Sequence, residues 1–193
     1  MKTIVKTIEI YTLDELTPEA RSKAIADIST FNAEMFDADY LIEDWKEKLE
    51  ALGYMKPDIS YSGFCSQGDG ASFTTENVDL EVWLKAHKLG NKYRLALNEA
   101  TAENIQMRIY RYGTNYVHER STSLEVTGYP DRIEAQPQLD EIMPLIEAEM
   151  VELNHYIYKD IEADYDEYTN EQSAIDAIEE NEYVFLANGE YYA

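Results

Sequence analysis

Residues 104–129, NIQMRIYRYGTNYVHERSTSLEVTGY, decide the fold class. The stretch holds two runs with β-branched and aromatic residues, separated by Gly113, Thr114 and Asn115. Such a short connection can join antiparallel strands, whereas parallel strands need a crossover of about a dozen residues or more. The stretch therefore predicts an antiparallel hairpin, and with it a sheet made of hairpins.

Helical patterns lie on both sides of this hairpin. Thr17 and Pro18 are typical first residues of a helix, and Gly53 is placed to end a second one. A third and longer helix is predicted near the C-terminus, where Pro144 either kinks the helix or marks its start. The apolar stripes that predict the three helices are Ala20, Ala24, Ile25 and Ile28; Leu41, Trp45, Leu49 and Leu52; and Leu139, Ile142, Met143, Ile146, Met150, Leu153, Ile157 and Ile161.

Both ends of the chain carry strand-like patterns. Residues 3–11, TIVKTIEIY, alternate and are rich in β-branched residues, and residues 182–193 read as a strand followed by an Asn188-Gly189 turn. Thr169 and Gln172 form a candidate capping box for a short helix before that last strand.

These elements predict an α+β fold: an antiparallel sheet of about four to six strands, helices packed on one face, and a long C-terminal helix. A chain of 193 residues fits one domain. We therefore expect a single domain over residues 1–193, with an acidic helical C-terminal portion at residues 138–193.

The charge is large and unevenly placed. There are 16 Lys and Arg against 39 Asp and Glu, which gives a formal net charge of −23, and Lys159 is the only Lys or Arg after Arg132. Such a surface repels phosphate backbones and anionic membranes. The composition therefore disfavours direct binding to nucleic acid or to a membrane.

Membrane insertion and export are not expected either. No apolar run approaches the roughly 20 residues that span a bilayer, and residues 1–16 have no continuous apolar region typical of a signal peptide. Cys65 is the only cysteine, so no disulfide can form within the chain, which suits a reducing cytoplasm.

A glycine-rich loop, YSGFCSQGDGASF at residues 61–73, is open to two interpretations. A phosphate-binding loop would need Lys and Ser or Thr directly after Gly68, where Asp69 and Gly70 stand. The loop is then either a turn whose glycines supply positive φ, or a recognition loop for a small ligand or nucleotide, assisted by Arg108 and Arg111. The candidate recognition residues are Gly63, Ser66, Gln67, Gly68, Asp69 and Gly70.

Catalytic and metal chemistry have little support. Cys65 could pair with a histidine as nucleophile and base, but a single cysteine can be paired with a histidine by chance in any sequence. His87, His118 and His155 lie in different elements without zinc-ligand spacing, so a zinc site has no support. Residues 164–175 begin like a calcium loop but lack its Gly and its final Glu. We therefore predict no catalytic residues, no metal and no cofactor, and a protein that is not an enzyme.

Acidic and aromatic residues alternate near the end of the long helix. Carboxylates on a helical frame can imitate the charge spacing of a nucleic-acid backbone and attract a basic groove. The alternative is a solvated acidic face with half-buried tyrosines. The candidate partner-binding residues are Asp160, Glu162, Asp164, Asp166, Glu167, Tyr165 and Tyr168.

Three segments together resemble one family of phage proteins. They are YTLDELTPEARSKAIADI from Tyr11, the loop YSGFCSQGDGASF, and YKDIEADYDEYTNEQSAIDAIEENEYVFLANGE from Tyr158. The family consists of small proteins encoded mostly by tailed bacteriophages and often labelled "antitoxin of toxin–antitoxin stability system". Residues 76–104 differ most from that family.

The resemblance implies a phage protein that acts in the cytoplasm of a bacterial host. Together with the charge, it leads us to expect an accessory protein for host takeover or anti-defence. We expect it to bind and block a host protein, as a nucleic-acid mimic or an antitoxin.

Overall fold

The computed structural model describes residues 3–113 and 117–193. The chain divides into unit 1, which is Met1–Asp37 with Ala163–Ala193, and unit 2, which is Ala38–Glu162. In the described residues there are six α-helices and six strands, and the strands form three two-stranded antiparallel sheets. The predicted α+β class and the long C-terminal helix are confirmed.

The strands all belong to unit 2 and pair antiparallel, with the β2–β3 pair lying between β1 and β4 in the chain. The predicted antiparallel pairing is confirmed, with Ile109 opposite Leu124 in its register. The connection is longer than predicted, because β6 begins at Thr122 and residues 117–121 are not part of the strand, while Thr114 and Asn115 lie outside the described residues. The three pairs are β1 (Tyr54–Met55) with β4 (Asn77–Val78), β2 (Asp58–Tyr61) with β3 (Ala71–Thr74), and β5 (Ile105–Arg111) with β6 (Thr122–Gly128).

Two local irregularities explain why the strands do not form one continuous sheet. Lys56, with φ of 49°, separates β1 from β2. Thr75 separates β3 from β4, and its hydroxyl lies within hydrogen-bonding distance of the carbonyl oxygens of Met55 and Asn77. Thr75 also exchanges two backbone hydrogen bonds with Ile109, at 3.0 and 3.1 Å, so that β5 stays joined to the other strands.

Unit 2 holds three short helices and most of the long one. Gly53 follows α2 with φ of +100°, as predicted, and a Cβ there would lie 2.8 Å from the Asp79 carbonyl oxygen. Pro144 lies inside the long helix, which begins before it. No helix of the described chain is long and apolar enough to cross a membrane. The helices are α2 (Asp39–Ala51), α3 (Leu80–Ala86), α4 (Arg94–Thr101) and α5 (Gln136–Thr169).

The hairpin and α5 together build the core of unit 2. Burial alternates along β5, as is typical of a sheet with one face in solvent. Ile105, Met107 and Ile109 are buried, and the residues between them are exposed. Asn154 of α5 is fully buried and accepts a hydrogen bond from Phe73 N at 2.9 Å. Its amide also donates to Thr122 Oγ1 at 3.1 Å, so one side chain connects α5 with β3 and β6.

Unit 1 is built from α1 (Pro18–Met35), α6 (Glu171–Glu180) and the last residues of α5. Thr17 caps α1 as predicted, since its hydroxyl accepts from Ala20 N at 3.4 Å. Helices α1 and α6 pack against each other. The buried residues of this core are Leu13, Ala24, Ile25, Ile28, Ala174, Ile178 and Phe185.

The two terminal strands predicted from the sequence do not form. Residues 3–10 have no regular structure, and Ile4 is 91% exposed, because β-branched residues favour a strand only where neighbouring strands and a core cover them. Only isolated bridges join Tyr11 to Phe185 and Phe185 to Tyr191. The predicted capping box of α6 is also wrong, because Asn170 is the N-cap and accepts from Ser173 N at 2.9 Å.

Candidate functional site

The loop between β2 and β3 is held together by Asp69. Its carboxylate Oδ2 accepts hydrogen bonds from Cys65 N at 3.0 Å and from Ser66 N at 2.6 Å. Its own backbone N donates to Ser66 O at 3.1 Å. Asp69, a predicted recognition residue, therefore caps the loop's own backbone, as Asp often does in turns.

The base of the loop is closed by Ser62 and Gly70. The Ser62 hydroxyl accepts from Gly70 N at 3.1 Å and donates to Val117 O at 3.0 Å. Gly70 is buried, and a Cβ on it would lie 2.6 Å from His118 Cα, which no side chain can tolerate without a shift of backbone. Gly68 has φ of +108°, as the turn interpretation predicts.

Aromatic rings attach the loop to α5. Phe64 stacks between Tyr61 and Tyr158, with ring centroids 5.9 and 6.0 Å away. The Tyr158 hydroxyl lies 3.4 Å from Gly63 O. Burial, followed by the nearby carboxylates of Glu162 and Asp69, raises the pKa of Tyr158, so its hydroxyl keeps the proton that it donates.

The tip of the loop stands at the surface. Cys65, Ser66, Gln67 and Gly68 are exposed, and so is Gly63.

The two arginines expected to assist this loop serve other contacts. Arg111 donates to the buried Ser72, from Nε at 3.3 Å and from Nη2 at 3.2 Å to its hydroxyl. Arg108 pairs with Glu125 on the exposed face of the hairpin, and its guanidinium lies over the Tyr110 ring.

A cavity of about 310 Å³ lies beside the loop in unit 2. His118 Nδ1 accepts from Arg120 N at 3.0 Å, and His155 Nδ1 lies 3.2 Å from Glu119 Oε2. In the part of the chain that the structure describes, no group of three or more His, Cys, Asp or Glu is arranged to hold a metal ion. The lining residues are Asp69, Gly70, Ala71, His118, Glu119, His155, Tyr158 and Lys159.

A second polar cluster in unit 2 surrounds Glu149 of α5. Its Oε2 accepts from the Tyr54 hydroxyl and from Trp83 Nε1, both at 2.6 Å, and its Oε1 lies 2.8 Å from His87 Nε2. Burial, with the charge of Glu149, raises the pKa of Tyr54. The four groups satisfy one another and join β1 and α3 to α5. Sequence reasoning missed this cluster because its members come from three distant segments.

The acidic candidates of unit 2 have internal partners. Trp45 Nε1 donates to Asp160 Oδ2 at 3.1 Å, which joins α2 to α5. Glu162 forms an ion pair with Lys159 one turn before it. These two carboxylates therefore already take part in contacts within unit 2.

The candidates of unit 1 fall into two groups. Tyr165 packs edge-on against Phe36 at 5.3 Å between ring centroids, and Tyr168 is 6.0 Å from the same ring while 45% of it stays exposed. Asp166 and Glu167 lie at the surface.

Asp166 and Glu167 belong to a longer acidic segment, which we define as residues 163–193. The segment contains nine Asp and Glu and no Lys, Arg or His. Asp164 is half-buried, and the other eight are exposed. The exposed acids are Asp166, Glu167, Glu171, Asp176, Glu179, Glu180, Glu182 and Glu190.

Comparison with known proteins places part of the chain in a sequence family. Residues 38–171 match the family described as a domain of unknown function, DUF8835. The chain belongs to this family. The DUF8835 match covers all of unit 2, including the loop and its cavity, but only residues 163–171 of the acidic segment. No curated protein and no solved structure matches the chain.

Proposed function

We propose that this DUF8835 protein is a non-enzymatic binding protein whose acidic segment docks on a basic surface of a host protein and blocks it. One observation carries the proposal: the segment has nine acids and no basic residue, and eight of those acids are exposed. The resemblance to phage proteins given above supports an accessory role in the cytoplasm of a bacterial host.

The position of the acids within the helices adds support. The last turns of α5 and α6 carry no basic residue, whereas Asp166 and Glu167 end α5 and Glu179 and Glu180 end α6. Negative charge at a helix C-terminus opposes the helix dipole and costs about 0.3–1 kcal/mol per charge. These four acids are therefore not placed to stabilise their helices, unlike Glu171 in the first turn of α6, and this favours a role for the four in binding.

Two kinds of target fit this surface. The first is a nucleic-acid-binding defence protein, because its basic groove would attract closely spaced carboxylates. The second is a toxin with a basic surface, which the segment would cover. In both cases the opposite charges speed association and make it sensitive to salt.

The test is a pull-down from nuclease-treated bacterial lysate at low and high salt, with two variants beside the native protein. The acid-neutral variant carries Asp166→Asn, Glu167→Gln, Glu179→Gln and Glu180→Gln. The control variant carries Glu47→Gln, Glu50→Gln, Glu134→Gln and Glu147→Gln, which remove the same charge from exposed positions in unit 2.

We expect one stoichiometric partner that is lost at high salt. The acid-neutral variant should lose it and the control variant should keep it, because only the first changes the acidic segment. Equal recovery with all three proteins would contradict the proposal.

A second candidate function rests on the cavity beside the loop. We infer that a DUF8835 protein could hold a small ligand or nucleotide there, because imidazoles, a phenol, an ammonium group and carboxylates line a space of about 310 Å³. That volume is at the lower end of small-molecule sites. The exposed Ser66 and Gln67 would then add hydrogen bonds from the loop.

Thermal unfolding with a panel of nucleotides and polar metabolites tests this second candidate. A ligand that binds only the folded protein raises the melting temperature in proportion to ln(1 + [L]/Kd). We expect His118→Ala and His155→Ala to abolish the shift and His87→Ala, outside the cavity, to leave it. No shift with any compound would remove the candidate.

A further inference from the structure

The apolar stripe of α1 extends beyond the core that covers it. Ala24 and Ile28 are buried in unit 1, whereas Phe31 is 49% exposed and Met35 is 59% exposed. Spacings of four, three and four residues place all of them on one side of the helix. Phe31 and Met35 therefore form an uncovered continuation of the core-facing stripe.

This uncovered end of α1 lies against the junction of α5 and α6. The Ser29 hydroxyl donates to Thr169 O, and the Asn32 amide donates to Tyr168 O at 3.3 Å. Tyr168, 45% exposed, belongs to that junction, and the exposed Glu167 precedes it. The apolar pair and the start of the acidic segment therefore share one end of unit 1.

The charges of α1 beside the pair are mostly negative, and the exception, Lys23, pairs with Asp27 at 3.0 Å. Residues 24–37 contain Asp27, Glu34 and Asp37 and no Lys, Arg or His. Glu171, the first residue of α6, adds a further exposed carboxylate. An apolar pair with an acidic rim is complementary to a segment with an apolar stripe between basic residues.

We propose that this end of unit 1 binds a basic amphipathic helix of the partner. The partner's apolar stripe lies on Phe31 and Met35, and its Lys and Arg side chains reach the carboxylates of Glu34, Glu167 and Glu171. The inference rests on the proposed function and specifies the partner's chemistry. A nucleic acid would meet the same carboxylates and be repelled, and a second copy would bring an identical acidic rim.

The experiment measures the affinity of three peptides of about five helical turns by titration calorimetry. The first combines Lys with Leu at helical spacing. The second has the same composition in scrambled order, so that its leucines form no stripe, and the third replaces every Leu by Ser. Each peptide is titrated at about 50 mM and at about 300 mM salt. The Debye length differs about twofold between these two conditions.

Two apolar variants separate packing from charge. Phe31→Gln with Met35→Gln removes the pair and keeps good helix formers in α1. Tyr129→Gln with Ile133→Gln removes two other exposed apolar residues in unit 2 and serves as the matched control. Both pairs are exposed, so unchanged melting temperatures are expected and are checked first.

We expect the Lys/Leu stripe peptide to bind at one site and at least about tenfold more tightly than the scrambled peptide. The Phe31→Gln, Met35→Gln protein should lose that difference, and the Tyr129→Gln, Ile133→Gln protein should keep it. The inference would be overturned if the native protein self-associates and the Phe31→Gln, Met35→Gln protein does not.

The inference and the proposed function fail in different ways. Equal affinity for the stripe and scrambled peptides, weakened in both by the acid-neutral variant, overturns the amphipathic helix and leaves the acidic docking surface standing. If neither the acid-neutral substitutions nor salt changes the affinities, both the inference and the proposed function are overturned.

Discussion

The loop at residues 62–70 and the acidic segment at residues 163–193 are both rich in polar groups, yet the structure uses those groups differently. In the loop, Asp69 and Ser62 bond to the chain's own backbone. In the acidic segment, eight carboxylates stand exposed and some oppose the dipoles of their own helices. Polar density marks a recognition surface only where the polar groups are not already used by the fold.

The largest expected effect concerns Asn154, which joins α5 to β3, the strand that follows the loop. Asn154→Ala removes the acceptor of the backbone N–H of Phe73 at a fully buried position. The shorter side chain also leaves a small cavity. We expect the free energy of unfolding to fall by about 2–3 kcal/mol, measured by urea denaturation. Asn98→Ala, an exposed helical asparagine, should change it by less than about 0.5 kcal/mol. Similar values for both would mean that this contact does not hold β3 on α5.

The next effect compares two glycines of the same loop. Gly70→Ala forces a Cβ to within 2.6 Å of His118 Cα, whereas a Cβ on Gly63 meets its nearest atom, Asp69 Oδ2, at 3.5 Å. We expect a loss of about 1–3 kcal/mol for Gly70→Ala and almost none for Gly63→Ala, by thermal or urea unfolding. A tolerated Gly70→Ala would show that the loop and the segment at His118 are not packed so closely.

A smaller effect is expected for Asp69→Ala, which removes the acceptor for two backbone N–H groups in a half-exposed loop. Hydrogen exchange at Cys65 and Ser66 should speed up, with a loss of about 1 kcal/mol in stability. Exchange rates that match the native protein would indicate that the carboxylate is available for a ligand, and the loop would then resemble the acidic segment.

The smallest effect on stability is expected in the acidic segment itself. The acid-neutral variant removes four exposed negative charges at helix C-termini, so we expect its stability to be unchanged or raised by up to about 1 kcal/mol at low salt. Urea denaturation at low and high salt measures this. A clear loss of stability would mean that these carboxylates make structural contacts, as Asp69 does.

Local sequence signals predicted much of the fold. Thr17 and Pro18 start α1, Gly53 ends α2, and the residues on either side of Gly113 pair as a hairpin. The two helix ends depend on interactions within a few residues. The strand pair is joined by residues 112–121, a connection still shorter than a parallel crossover needs. That is why pattern and turn chemistry were sufficient.

The terminal strands could not be predicted correctly, because a strand needs a partner. Residues 3–10 have strong β-propensity, yet only Tyr11 finds a bridge, to Phe185. Likewise, Asn170 rather than Thr169 caps α6, since α5 continues through Thr169. The missing terminal strands and the N-cap of α6 both depend on neighbouring elements. The periodicity of a single segment does not show what its neighbours do.

The sequence predicted which residue types make up the candidate site. It did not predict which residues they contact. The sequence identified the acids of the C-terminal third but could not show that Asp160 accepts from Trp45, more than a hundred residues away. It also treated His118 and His155 as unrelated, although the fold brings them to one cavity. Long-range contacts of this kind depend on the packing of α5.

The acidic docking surface is tested most directly by the amount of partner that the acid-neutral variant retains at low salt, relative to the control variant. Both have lost four negative charges, so net charge cannot distinguish them. We expect the control variant to retain the partner and the acid-neutral variant to lose at least about nine-tenths of it, as a tenfold increase in Kd would cause when the partner is not saturating. Equal retention would contradict a binding role for the acidic segment.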